Sequence, residues 1–285
     1  MSTLKIAIQK SGRLHEDSLK LLKDCGLSID NGKDQLKVNV SNFPIEILYL
    51  RNSDIPQYIE DGVADIGIIG ENLLIEKQKE IQVVEKLGFA KCKVCLAVPK
   101  DVEDDSLTYF EGKKIATSYP NTLRHFLKKN QINAEIHVIS GSVEIAPNIG
   151  LADGICDIVS SGSTLFKNGL RETQVLLKSE AVLVKTLKLT KEKEQLLAKL
   201  LFRIRAVLRA KSFKYILMNV PETNIEDVAR ILPVLKSPTV LPLAQKGWCS
   251  MHSVIDENKF WDVIDELKTA GAEDILIVPI AKMVL

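Results

Sequence analysis

The chain has 285 residues, 46% of them hydrophobic and 26% charged, the balance of a globular protein, and its length suggests about two domains of roughly 100–200 residues each. Its 38 basic and 37 acidic residues leave a net charge of +1, without the basic excess of a nucleic-acid binder, and aromatics at 5% offer no stacking platform for single strands. No apolar run is long enough to span a membrane, and the start MSTLKIAIQKSGRL is too short and interrupted for a signal peptide, so a cytoplasmic location is expected.

In chain order, apolar strands are expected at Leu4–Ile8, Ile45–Leu50, Asp65–Ile69, Cys92–Val98, Lys114–Thr117, Glu135–Val138 and Cys156–Val159. Amphipathic helices fall between them at Asp17–Cys25, Ile55–Asp61 and Asn121–Asn130. Nearly all-apolar strands alternating with helices predict an α/β chain with mostly parallel sheets covered on both faces. Pro99 cannot donate within a central ladder, and Asp101–Asp105 is an acidic stretch, so two lobes are expected to divide near residues 98–100. A strand over Gln174–Lys185 returns the chain, giving lobes of residues 1–98 with about 174–190, and 99–173. A cleft between two such lobes is the usual place for a small ligand.

Thr190 then caps a connecting helix over residues 191–211 with a leucine-rich stripe. Beyond it, residues 212–285 are expected to run strand Lys214–Val220, helix Ile225–Leu232, strands Thr239–Leu243 and Cys249–Ile255, helix Lys259–Ala270 and strand Ile275–Pro279. That β-α-β-β-α-β order is ferredoxin-like, an α+β unit. The five cysteines make no disulfide framework. Cys92 and Cys95 form a lone C-x-x-C without a second pair or a nearby histidine, better suited to burial than to zinc.

The segment Cys156–Leu165 carries the clearest chemistry. A strand runs into Ser160-Ser161-Gly162-Ser163-Thr164, which combines backbone N–H groups with four hydroxyls around a glycine. That suits a phosphate, and equally a hydroxyl-rich turn. Glu144, Asp153 and Asp157 stand beside it; carboxylates near a phosphate favour a sugar phosphate or a cation such as Mg²⁺, although each taken singly also suits a solvated surface. At the carboxyl end of the first strand, where α/β sheets bind ligands, Lys10 and Arg13 flank Gly12, and Arg51 follows another strand. They suit polyphosphate oxygens or a solvated basic turn. Gly67 marks a close backbone approach in Asp65–Asn72, and Glu71 opens a helix. Tyr119 suits purine stacking or core cover. The four histidines have no nucleophile signature near them.

Taken together and in this order, QKSGRL, DIGIIGEN, KIATSYP, GSVEIAP, GLADGICDIVSSGSTL and SPTVLPLA resemble the ATP phosphoribosyltransferase family, over essentially the whole chain and in its long form. The resemblance implies a fold related to type II periplasmic binding proteins, with a C-terminal regulatory domain and no separate regulatory subunit. It also implies transfer of a phosphoribosyl group from 5-phosphoribosyl diphosphate to N1 of ATP, opening histidine biosynthesis, with Mg²⁺ on the diphosphate. On it, Ser160, Ser161, Gly162, Ser163 and Thr164 hold the 5-phosphate. Lys10, Arg13, Arg51, Glu144, Asp153 and Asp157 serve catalysis, Asp157 also touching the metal. Gly12, Leu14, Gly70, Glu71, Ser118 and Tyr119 contact ATP. Histidine is the expected feedback inhibitor at Asn219, Leu235, Ser237 and Thr239, with dimer–hexamer assembly of identical chains. Asn219 stands near a position where some relatives carry an acid. The competing readings are a two-lobed solute-binding protein and a nucleotide-sensing module without catalysis.

Overall fold

A computed structural model describes residues 2–30, 35–232 and 237–284. The chain divides into two units, Met1–Lys23 with Leu27–Leu197 and Asp24–Gly26 with Ala198–Leu285.

The first unit begins with β1 (Leu4–Gln9), α1 (Arg13–Asp24), β2 (Lys37–Asn39), β3 (Ile45–Leu50), α2 (Ile55–Glu60), β4 (Ile66–Gly70), α3 (Glu71–Lys77) and β5 (Ile81–Lys86). A second lobe follows with β6 (Cys92–Pro99), β7 (Lys114–Thr117), α4 (Pro120–Lys129), β8 (Glu135–Val138), β9 (Gly154–Val159), α5 (Ser163–Lys167) and β10 (Leu170–Ser179). The chain returns to the first lobe as β11 (Ala181–Thr186). The sheet orders are β2-β3-β1-β4-β11-β5 and β10-β6-β9-β7-β8.

Each sheet has a parallel centre: β1 between β3 and β4, and β7 between β8 and β9. The crossing strands join antiparallel, so the sheets are mixed rather than mostly parallel. Ile6, Ala7 and Ile8 are wholly buried, as a strand covered on both faces requires. Gly67 has Ile55 and Ile59 of α2 where its Cβ would be; the close approach is by a helix.

Three expectations change. Cys92–Pro99 belongs to the second sheet, so the chain crosses between β5 and β6 and not after Pro99, which ends its strand opposite Leu170. Gln174–Lys185 is not one strand: β10 serves the second sheet and β11 the first, broken at Glu180, whose carbonyl accepts the Glu71 N–H at 3.0 Å. β5 was not anticipated, because an edge strand with Gln82 and Val83 both exposed blurs the alternation.

Leading on from the first unit, α6 (Lys191–Lys211) has its first turn capped by Thr190, whose hydroxyl accepts the Lys193 N–H at 3.4 Å. The second unit continues with β12 (Phe213–Pro221), α7 (Ile225–Ile231), β13 (Thr239–Pro242), β14 (Trp248–Asp256), α8 (Glu257–Thr269) and β15 (Glu273–Pro279). The order β13-β14-β12-β15, antiparallel throughout, is the ferredoxin-like arrangement expected. One sheet face buries Ile216, Met218 and Met251 with Val228 of α7 and Leu267 of α8. The alternate positions Tyr215, Asn219, Ser250 and His252 stay partly exposed.

Candidate active site

Three parallel strands in each lobe point their carboxyl ends to one sheet edge, and most of the expected site residues follow those ends. At the end of β9 the chain turns through Ser160-Ser161-Gly162 into α5. Val159 and Leu165 are each 5% exposed and anchor the turn in the core, while Ser160, Ser161, Ser163 and Thr164 are exposed. Gly162 has φ +75°, a conformation that glycine adopts without a Cβ penalty. The opening N–H groups of α5 have no intrahelical acceptor. So short a helix has little dipole, so individual donors are what the turn offers. They line a cavity of about 100 Å³ together with Asp157 and Glu144.

The Asp157 carboxylate accepts the Ile158 N–H at 2.8 Å and the Ser118 hydroxyl at 3.5 Å. Burial raises its pKa, and the charge of Glu144 adds to the rise against those two bonds. Glu144 stands on a single 3-10 turn, Val143–Ile145, pinned by buried Val143 and Ala146. Two carboxylates thus share the phosphate-sized cavity, the arrangement that a divalent cation or sugar hydroxyls relieve.

Asp153 is elsewhere. It precedes β9, roughly 20 Å of strand from Ser160 at about 3.3 Å per residue. There it accepts the Lys114 N–H at 2.8 Å and pairs with Lys113. It ties the amino ends of β7 and β9, and its expected catalytic role is withdrawn.

In the first lobe, Gln9 and Leu50 are register partners on parallel strands, and the Lys10 N–H donates to the Leu50 carbonyl at 2.9 Å. Lys10 and Arg51 therefore leave the sheet side by side, both exposed. The helix α1 starts at Arg13 rather than Asp17, so only Lys10–Gly12 form the loop and Arg13 and Leu14 lie in the first helical turn. His15 pins that loop by donating from Nδ1 to the Gln9 carbonyl at 2.7 Å.

Gly70 ends β4, and the Asn72 carboxamide occupies the place a Cβ there would take; its missing side chain serves Asn72, not an approaching ligand. Glu71 follows it on the cleft. Ser118 and Tyr119 follow β7. The Tyr119 ring packs on the second lobe's core and its hydroxyl accepts from Asn72 at 3.0 Å. Burial pushes that hydroxyl's pKa up to about 12. Of the two uses open to Tyr119, this geometry favours core cover.

The edges of the two sheets meet across a cleft of about 390 Å³, lined by Glu71 and Lys86 from one lobe and Lys93, Ser160 and Lys178 from the other. These lysines were not singled out from sequence. Lys93 and Lys178 are register partners across β6 and β10, an unfavourable like-charge placement relieved for Lys93 by its ion pair with Glu172. The signal was present as lysines within the otherwise apolar strands KCKVC and VLLKS.

All five cysteines are free, and burial pushes the Cys95 thiol up to about 12, far from a reactive thiolate. Among the described residues no three His, Cys, Asp or Glu are grouped to hold a metal ion, and no helix is long and apolar enough to cross a membrane.

In the second unit, Asn219 and Thr239 lie on the open sheet face, with Ser250 and His252 of β14 between their strands. Ser237 is exposed just before β13, and Leu235 lies outside the described residues. Asn219 donates from Nδ2 to Asp274 at 2.9 Å, so a carboxylate stands beside position 219 although the residue itself is an amide. Sequence reading missed Asp274 because it belongs to a different strand.

Two α/β lobes whose facing edges carry a hydroxyl-rich turn, paired carboxylates and a basic rim form a cleft whose chemistry suits a phosphorylated sugar. The family model described as ATP phosphoribosyltransferase matches residues 51–206, and that described as HisG, C-terminal domain, matches residues 210–282. The chain belongs to the ATP phosphoribosyltransferase family. It is 54% identical over 282 residues to the ATP phosphoribosyltransferase of Bacteroides thetaiotaomicron, covering 99% of this chain and 100% of that one. It is 55% identical to that of Cytophaga hutchinsonii, with both chains covered in full. Among solved structures, the ATP phosphoribosyl transferase (HisG:HisZ) complex from Thermotoga maritima is similar at a TM-score of 0.61 and 29% identity, over 71% of this chain and 99% of that one.

Proposed function

We propose that the chain transfers the phosphoribosyl group of 5-phosphoribosyl diphosphate to N1 of ATP, the first step of histidine biosynthesis, in the cleft between the two lobes. The observation that carries this reading is the Ser160–Thr164 turn over a cavity shared with Asp157 and Glu144. The turn supplies neutral donors to the 5-phosphate. Asp157 and Glu144 lie where ribose hydroxyls follow, one phosphate ester away.

The N1 lone pair forms a bond to ribose C1 as the C1–oxygen bond breaks and its electron pair leaves with diphosphate. Charge builds at C1 and on the leaving oxygens, so the protein's task is to hold two polyanions in line and offset that charge. Lys10, Arg13 and Arg51 do this from the first lobe, with Glu71 and Ser118 lining the ATP side beside Gly12 and Leu14. Tyr119 and Gly70 support that wall from behind. No covalent nucleophile is needed.

The residues fit Mg²⁺, which is bound by one or two carboxylates plus substrate phosphates: Asp157 and Glu144 would hold it, and it would supply positive charge to offset that on the leaving diphosphate. In the second unit, the Asn219–Asp274 pair with Ser237 and Thr239 suits a small zwitterion, and we assign it to histidine as feedback inhibitor. A chain carrying this unit works as a homo-oligomer without a separate regulatory subunit.

Incubation with ATP, 5-phosphoribosyl diphosphate and Mg²⁺, with pyrophosphatase to remove diphosphate, should yield the phosphoribosyl-ATP absorbance. No product under these conditions refutes the assignment.

A further inference from the structure

The helix α3 belongs to the first lobe by its attachment to β4, yet its buried polar side chains bond to the second. Glu76 is 6% exposed. Its Oε1 accepts the Asn121 N–H at 3.0 Å; its Oε2 accepts the Thr122 N–H at 2.9 Å and the Thr122 hydroxyl at 2.8 Å. Its backbone carbonyl accepts Asn121 Nδ2 at 3.0 Å. A buried carboxylate is costly unless donors compensate it, and these donors include N–H groups of the first turn of α4, which have no intrahelical acceptor. The N-cap residue of α4, Tyr119, makes no side-chain cap. The cap comes from the other lobe.

One turn earlier on α3, Asn72 is 5% exposed. It donates to the Tyr119 hydroxyl at 3.0 Å and exchanges two hydrogen bonds of 2.9 Å with Ser179, where β10 ends and the chain crosses back. Gly70 leaves room for this carboxamide. The next link is short: Ser118, adjacent to Tyr119, reaches Asp157.

We propose that α3 is an inter-lobe brace, in which Glu76 and Asn72 hold the amino end of α4 and so set the spacing between the basic rim at Lys10 and Arg51 and the wall of Ser118 and Asp157. Both are positioning residues; neither touches the reacting atoms. This rests on the proposed function, because the two walls are there assigned to different parts of the substrate pair. The 5-phosphate turn lies wholly in the second lobe, so loosening the brace leaves its contacts intact. What suffers is the alignment of groups held from both lobes.

The test uses the full-length protein with Glu76→Gln, which turns an amide N–H toward a backbone donor, and Gly70→Ala, which displaces only Asn72. For both variants we expect kcat/KM for ATP to fall about tenfold or more, while the calorimetric Kd for ribose 5-phosphate, whose assigned contacts all lie in the second lobe, stays within about twofold of the parent. If Glu76→Gln fails to fold, Gly70→Ala carries the test alone. An equal loss of ribose 5-phosphate affinity, or unchanged kinetics for ATP, overturns the brace. An inactive parent protein would instead sink the proposed function, so the two failures are distinguishable.

Discussion

Lys10 and Arg51 emerge side by side from adjacent parallel strands because Gln9 and Leu50 are register partners, with the Lys10 N–H bonded to the Leu50 carbonyl at 2.9 Å. A rigid sheet edge therefore sets the spacing of two exposed cations. If they act on the charge developing on the diphosphate, Lys10→Ala and Arg51→Ala should each lower kcat by about 10²-fold, the scale for losing one preorganised electrostatic group. The double variant should lose less than the product of the two, since neighbours on one ligand are not additive. Steady-state kinetics decides this; strictly multiplicative losses would mean that the two do not share a target.

Asp157 carries a stability cost that its function explains. Its carboxyl pKa is raised in the folded chain, first by burial and then by Glu144. A carboxyl raised in this way binds its proton more tightly when folded, so stability falls as pH climbs from the unfolded value, about 4, through the folded one. Asp157→Asn removes that loss. Its melting temperature should exceed the parent's at pH 8, and the gap should close as pH falls toward about 4, while kcat/KM drops sharply. Thermal scans across pH check it; a variant less stable than the parent at pH 8 contradicts it.

Asp274 is expected to take the ammonium of the inhibitor, with Asn219 orienting it. Hydrogen bonds to charged groups contribute about 1.5–3 kcal/mol, so Asp274→Asn should raise the histidine concentration for half-inhibition by about tenfold or more. Uninhibited turnover should stay unchanged. Inhibition curves of parent and variant provide the check.

Much of this was legible in the chain. The strands ending at Gln9, Leu50, Thr117 and Val159 announce themselves because burial on both faces demands unbroken apolar runs, and the turn at Ser160–Thr164 follows from its glycine and hydroxyls. Asp153 and Asp157 look alike in sequence, yet Asp153 stands just before β9 and Asp157 lies toward its carboxyl end; only the start of β9 decides which faces the cleft. The family resemblance makes Gly70 an ATP contact, and only the fold shows that the Asn72 carboxamide takes the place of its Cβ. Glu76 and Asp274 depend on contacts between distant segments, for which local pattern has no signal, whereas Lys93 and Lys178 stand out locally as lysines in apolar strands and only their pairing is hidden.

Calorimetry on two ligands tests most directly whether Ser160–Thr164 holds the 5-phosphate. The parent should bind 5-phosphoribosyl diphosphate at least about tenfold tighter than ribosyl diphosphate lacking the 5-phosphate. Gly162→Asp places a carboxylate in the turn, at a position with φ +75° and with Glu172 3.3 Å from its Cβ; it should abolish that preference while leaving the weaker ligand's affinity nearly unchanged. Equal affinity of the parent for both ligands, or an equal loss for both in the variant, contradicts the account.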